Sequence, residues 1–361
     1  MAQWIFCTGI QQMIINITEE SKFTPDKINI EALDNIAYQC GAGNHILMGS
    51  RELLTRISET PGLERRTSAL IRASCQRMTQ QGALLNGSPW RLDIDASNTS
   101  RSIPHLHLFQ NPDYCEKSQI LTENPDDAAT IVALAKTYIA HTLRGNRISI
   151  RHNNGGGSTI GRTLKSIMDS PSGCTICIVD SDRKHEGAAT GGTAKAGQAA
   201  YKKVKQKWRA NFHLINQREL ENLIPHDLLQ HCVDKYAPHL SDVTKAIQET
   251  NKFYVDYFCM KAGDSMCRLI SSLISKRQLK RLSKATQCSG GPMPPIIPCG
   301  TCICDGQCRE SPGFGTGLLG WAATEMESGA FTSNPDLWRD ELTDLVRKVA
   351  FTGLATQPFR A

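Results

Sequence analysis

Apolar and polar positions keep different rhythms in different parts of the chain. Up to about residue 115 the regular stretches are helical: "RELLTRISETPGLERRTSALIRASCQRM" places Leu53, Leu54 and Ile57 at helical spacing. A polar, irregular run follows, "NGSPWRLDIDASNTSRSIPHLHLFQNPDY". From residue 118 short apolar runs alternate with helical ones. "SQILTE" reads as a strand. "PDDAATIVALAKTYIAHTL" reads as a helix opened by Pro125 and two aspartates, with Ile131, Leu134, Ala135, Tyr138 and Ile139 on one face. "RISIR" is the next strand, then "HNNGGGST" leads into a helix at "IGRTLKSIMD". "CTICIVDSD", a basic helical stretch "AGQAAYKKVKQKWRA", the strand "FHLI" and "NQRELENLIPHDLLQHC", helical toward its end, complete the series. Such alternation predicts an α/β fold, a mostly parallel sheet with helices on both faces. A mainly helical N-terminal region (1–115), suited to docking a partner, precedes the α/β domain (116–265). A C-terminal helical region (266–361) follows, with a small Cys-rich lobe at "CSGGPMPPIIPCGTCICDGQC" and a closing helix at "NPDLWRDELTDLVRKVAF".

Composition narrows the class. With 361 residues, 40% hydrophobic and 21% charged, the chain has the proportions of a globular protein. No run approaches the ~18 apolar residues of a membrane span, and "MAQWIFCTGIQQMIINITEE" lacks the basic and apolar segments of a secretory signal. Several of the 14 cysteines lie inside apolar runs (Cys174, Cys177, Cys232, Cys259), which fits a reducing, cytoplasmic compartment. Cys174 and Cys177 point to opposite strand faces and make a poor redox pair. A net charge of +6 permits a nucleic-acid partner without demanding one.

The acids at the strand ends carry the chemistry. Glu123 follows "SQILT" and Asp127 lies four residues on, in the first helical turn; Asp180 and Asp182 end "TICIV". Alternation along an extended chain would put Asp180 and Asp182 on one side. Parallel sheets hold ligands beyond their C-terminal strand ends. Converging carboxylates raise one another's pKa, and a divalent cation, Mg²⁺ or Mn²⁺, relieves them while leaving positions for water and phosphate. "RELEN" adds Glu219 and Glu221. On an ideal helix these diverge by ~200°, so both face one point only if the segment is extended, and Glu221 is the favoured ligand. Each motif also has a plain reading: D-x-D often ends a strand as a loop or helix cap, and acids are ordinary in a first helical turn.

In their order these motifs resemble the TOPRIM domain, and within it the OLD-family and related nucleases of bacterial anti-phage defence. Glu123 and Asp127 match the first motif, Asp180 and Asp182 the second, "ELEN" at 219–222 the third, and Lys261 in "DYFCMKAGD" the downstream lysine. The likeness covers roughly 116–265 and departs at "TENPDD", where Asn124 and Pro125 stand in place of the usual glycine. It implies a metal-dependent endonuclease with Glu123, Asp127, Asp180, Asp182 and Glu221 as metal ligands. Glu219 and Lys261 join them as catalytic residues, Lys261 neutralising charge in the transition state. DNA is favoured over RNA as substrate, and the resemblance implies either a separate ATPase or sensor protein as partner or none.

Arg183, Lys184, Lys202, Lys203, Lys205 and Lys207, with Tyr201 and Trp208 among them, are expected to hold a nucleic-acid backbone, with "SKRQLKRLSK" as a second cluster. "HNNGGGST" lacks the G-K-[ST] ending of a nucleotide-hydrolysing loop. Cys299, Cys302, Cys304 and Cys308 form C-x2-C-x-C-x3-C, a structural Zn²⁺ candidate. Two rivals remain: a nucleic-acid-binding or regulatory subunit without catalysis, and a haloacid-dehalogenase-type phosphatase. The latter wants Thr or Val where this chain has Lys184.

Overall fold

The computed structural model describes residues 14–19, 23–86, 91–100, 103–185, 187–248, 256–265 and 310–359. In the N-terminal part, β1 (Ile14–Thr18), α1 (Lys27–Gly41), β2 (Ile46–Gly49), α2 (Arg51–Ser58), α3 (Arg65–Asn86) and β3 (Leu92–Asp95) follow one another. The three strands form a parallel sheet in the order β2-β1-β3. By residues the region is mainly helical, as expected, and this sheet is an addition that the sequence did not signal. "IINIT" and "ILMG" are short, almost wholly buried runs, and a strand covered on both faces carries no period-2 signal.

The central unit runs β4 (Gln119–Thr122), α4 (Pro125–Thr142), β5 (Asn146–Ile148), β6 (Arg151–Asn154), α5 (Ile160–Asp169), β7 (Thr175–Val179), α6 (Gly192–Lys202) and β8 (Ala210–Leu214). Four of its strands make a parallel sheet ordered β6-β4-β7-β8. The expected strand "RISIR" is divided between β5 and β6, and β5 leaves this sheet. The helix expected at 196–210 instead spans 192–202, with a separate 3₁₀ turn at Lys207–Arg209.

Pleat alternation decides which helix covers which face. Ile120, Ile176 and Ile178 point to a core shared with Ile131, Leu134, Ala135 and Ile139 of α4. Leu121, Cys177 and Val179 point the other way, against Ile160 and Leu164 of α5 and Ala194 of α6. Cys174 lies with neither set, in the N-terminal cluster. Then come α7 (His226–Tyr236), α8 (Ser241–Gln248), the antiparallel pair β9 (Gly263–Ser265) and β10 (Glu310–Pro312), α9 (Leu318–Glu327), α10 (Asp340–Thr352) and β11 (Leu354–Thr356). Helix α4 buries apolar residues around most of its circumference and so needs a second partner besides the sheet. Helices α9 and α10 share its core through Leu318, Leu319, Leu345 and Val349, and β11 pairs with β5.

One buried cation closes this architecture. Arg209, 2% exposed, directs its guanidinium at the end of α5, donating to the carbonyls of Ser172, Met168, Ile167 and Ser170. The Ile167 and Met168 carbonyls belong to the last turn of α5, where carbonyls lack helical N–H partners, and those of Ser170 and Ser172 to the turn after it.

Candidate functional site

Strand order places the site. The chain leaves β4 through α4 toward β6 on one side, while β7 and β8 lie on the other, so the C-terminal ends of β4 and β7 flank the reversal point where open α/β sheets hold ligands. Glu123 follows the last residue of β4 and Asp180 the last of β7. The Asp180 amide donates to Glu123 Oε1 at 3.3 Å, tying the two strand ends together.

Asp180 is 6% exposed. Its Oδ1 accepts from the Leu220 amide at 2.9 Å, and its Oδ2 lies 3.6 Å from Lys261 Nζ. Asp182 reaches the site by a different route from the one expected. The strand stops at Val179, and Asp182 adopts a left-handed backbone with φ 54°, a conformation open mainly to Gly, Asn and Asp. Its amide donates to the Arg218 carbonyl at 2.9 Å. Its carboxylate lies against Gly191, where an added Cβ would sit 2.1 Å from Oδ2. A turn, and not pleat alternation, therefore brings Asp182 beside Glu123.

The third acidic segment is a 3₁₀ turn, Leu220–Leu223, preceded by extended Glu219, so the two glutamates diverge. Glu221 faces Lys261, with Oε1 3.2 Å from Nζ. Glu219 turns to Arg218 Nε at 3.6 Å and accepts from Cys259 Sγ at 3.3 Å. Asp127 keeps its plain role too: its Oδ2 accepts from the Asn124 amide at 3.1 Å, capping α4.

Charge at this point is unbalanced. Burial, then Asp182, pushes Glu123 up to about 7, with Asp127 adding to the rise. Burial pushes Glu221 up to about 7 against the pull of Lys261. Asp180 is raised well above the usual carboxylate range, first by burial, with Glu221, Asp127 and Glu123 adding to it against Lys261. Burial also raises Asp127. For Lys261 burial acts downward, but Glu221, Asp180, Asp127 and Glu219 outweigh it and hold the ammonium above its ordinary pKa. One ammonium thus faces four raised carboxylates.

Does this set suit a divalent cation? Glu221 is 1% exposed, and its carboxylate is met by the Lys261 ammonium. Hard carboxylate donors in excess over cations are what Mg²⁺ or Mn²⁺ takes. Among the described residues, however, no group of three or more His, Cys, Asp or Glu side chains is arranged to hold a metal ion. Of the expected ligand set, Asp180 and Glu221 pair with Lys261, Asp127 and Glu123 feel its charge, and Asp182 lies beside Glu123 and Gly191. Donor type and charge suit a cation, with Lys261 standing beside Asp180 and Glu221.

Two positioning groups were not singled out from the sequence. Asn222, part of the quoted "ELEN", caps the Glu219 amide through Oδ1 at 2.9 Å and donates from Nδ2 to the Phe258 carbonyl at 2.9 Å. It so joins the Glu221 turn to the Lys261 turn. Arg339, from the start of α10, donates to the Asn222 carbonyl at 3.2 Å and to Asp256. A reach of 117 residues leaves no local pattern to read.

The expected basic contacts separate. Arg183 and Lys184 directly follow Asp182 at the acid end of the sheet. Helix α6 then returns toward the opposite end, so exposed Lys202, Lys203 and Lys205 lie ~16 Å along its 11 residues from the acids. Lys207 folds back onto Tyr201, bonding its carbonyl and lying 4.1 Å from the ring centroid. Trp208 packs against Phe109 and Tyr114. Lys207 and Trp208 therefore serve packing. Cys299, Cys302, Cys304, Cys308 and the second basic cluster at 275–284 lie outside the described residues. No helix among the described residues is long and apolar enough to cross a membrane.

No family model, curated protein or solved structure matches this chain.

Proposed function

We propose that this protein is a divalent-metal-dependent nuclease hydrolysing nucleic-acid phosphodiester bonds, with a TOPRIM-like catalytic unit. The observation that carries the reading is the pair of buried acids Asp180 and Glu221, both set against Lys261, at the reversal point of a parallel sheet. Glu123, Asp127, Asp180, Asp182 and Glu221 would hold Mg²⁺ or Mn²⁺. When bound, such ions supply an activated water and stabilise the departing oxygen. The chain's own groups do the rest. The Leu220 amide and Lys261 fix the aim of Asp180, and Asn222 holds the Glu221 and Lys261 turns together. Lys261 neutralises charge on the phosphate, and Arg183 and Lys184 contact the backbone beside it. DNA is the favoured substrate. The resemblance extends the reading to an effector of bacterial anti-phage defence restrained or triggered by a separate ATPase or sensor.

A second reading, a nucleic-acid-binding subunit without catalysis, is favoured by the ion pairs of Lys261 with Asp180 and Glu221, which are ordinary in a purely structural cluster. One experiment separates the two. The purified chain and its Asp180→Ala variant are incubated with supercoiled DNA and structured RNA in Mg²⁺, Mn²⁺ or EDTA. Cleavage that needs the metal and is lost in a folded variant supports the nuclease. Cleavage surviving EDTA or the substitution overturns it, and binding without cleavage by either protein supports the second reading.

A further inference from the structure

Helix α3 carries four arginines and no aspartate or glutamate in its 22 residues. One side is buried: Leu70 and Ile71 join the N-terminal core, with Thr67 and Ser74 beside them. At about 100° per residue the opposite side gathers Arg65, Ala69, Arg72, Gln76 and Thr79 within about 80° of arc, and all five are exposed. Arg66 lies on the flank of this face, its guanidinium 5.9 Å from the Tyr38 ring centroid. Elsewhere Arg56, Arg151 and Arg339 each pair with a carboxylate. Among the described residues no carboxylate pairs with Arg65, Arg66 or Arg72.

We propose that the exposed face of α3 is a docking surface for the phosphate backbone of duplex DNA, separate from the acids at the strand ends. Unpaired guanidiniums match phosphate oxygens in charge and in their planar fork, and Gln76 and Thr79 supply neutral groups of the kind that bond phosphate. The face has no apolar side chain larger than that of Ala69. It therefore lacks both the aromatic or aliphatic anchor of a protein interface and the large apolar residues that seat a helix in a lipid surface. Arg65 and Arg72, two turns apart, are separated by ~10 Å along the axis, within the ~12 Å width of the B-DNA major groove, which admits an α-helix. The narrow major groove of A-form RNA does not. This contact goes beyond the nuclease reading and needs no metal, so it holds whether or not the acids cleave.

The test is fluorescence anisotropy of a short labelled DNA duplex with the full chain in EDTA, over a series of salt concentrations. The wild type is compared with Arg65→Gln/Arg72→Gln and with a control, Arg144→Gln/Arg147→Gln, which removes the same charge between α4 and β5. Loss of two phosphate contacts should make the slope of log affinity against log salt shallower by about 1.8, and weaken binding at least about tenfold at low salt. The control should keep the wild-type slope. A double variant with the wild-type slope overturns the proposal, and so does a control that loses as much, because binding would then follow net charge and not this face. A wild type that binds no duplex DNA at low salt overturns it as well. An RNA duplex bound as tightly, with the same loss of slope, overturns the assignment to DNA. If the double variant fails to fold, Arg72→Gln alone should lower the slope by about 0.9. Metal-dependent cleavage by the wild type, with unchanged DNA affinity in the double variant, sinks this proposal alone. Weakened binding in the double variant, with no cleavage by the wild type in Mn²⁺, sinks the nuclease reading and leaves this one standing.

Discussion

Glu221→Gln should make the metal-free protein more stable at pH 8, although it removes a partner of Lys261. Burial pushes the Glu221 carboxyl from 4.5 up to about 7. Between those values the folded chain holds a proton that the unfolded chain has released. Stability contributed by this group is thus complete below pH 4.5, falls as pH rises toward 7, and stays low above it. The difference of 2.5, at ~1.36 kcal/mol per pKa unit, is worth about 3 kcal/mol at pH 8. Glutamine has the same shape and carries no charge, so the variant avoids that cost. Against this stands the lost attraction to Lys261, which Asp180 still offers at 3.6 Å. Urea denaturation in EDTA should give nearly equal midpoints at pH 5 and a higher midpoint for the variant at pH 8. Adding Mn²⁺ at pH 8 should reverse the order, because the ion stabilises only the form that binds it. A variant less stable than the wild type at pH 8 in EDTA would refute the reasoning, since Glu221 would then be a net stabilising partner of Lys261.

Three further outcomes follow from single contacts. Gly191→Ala adds a Cβ 2.1 Å from Asp182 Oδ2 at a backbone φ of −63° that alanine accepts; Mn²⁺ affinity should drop by at least about tenfold, while the thermal midpoint moves little. Asp182→Asn should keep the stability of the wild type, whereas Asp182→Val should lose about 1–2 kcal/mol by urea denaturation, because a β-branched residue resists the φ of 54°. Arg209→Met leaves the carbonyls of Ser170 and Ser172 without their buried donor and should cost about 3 kcal/mol in the same assay, with metal-dependent activity preserved in whatever fraction stays folded.

What the sequence disclosed tracks how local each signal was. "IGRTLKSIMD" is the whole of α5, and "TICIV" is the whole of β7, because propensity and burial agree there. The placement of Glu123 and Asp180 followed from strand order alone. The aim of Asp182 did not, since it depends on one left-handed residue and on the absence of a side chain at Gly191. The division between Glu219 and Glu221 needed the capping of the Glu219 amide by Asn222, which in turn is held by Arg339 from a distant helix. The run of lysines ending in Arg209 read as one basic face. Helix α6 stops at Lys202, and Arg209 is drawn inside by carbonyls at the C-terminal end of α5 and in the turn after it.

The most direct test of the central claim is a crystal grown with Mn²⁺ and measured at the manganese absorption edge. The account predicts an anomalous peak among the carboxylates of Glu123, Asp127, Asp180, Asp182 and Glu221. A crystal with no manganese among those acids would contradict it.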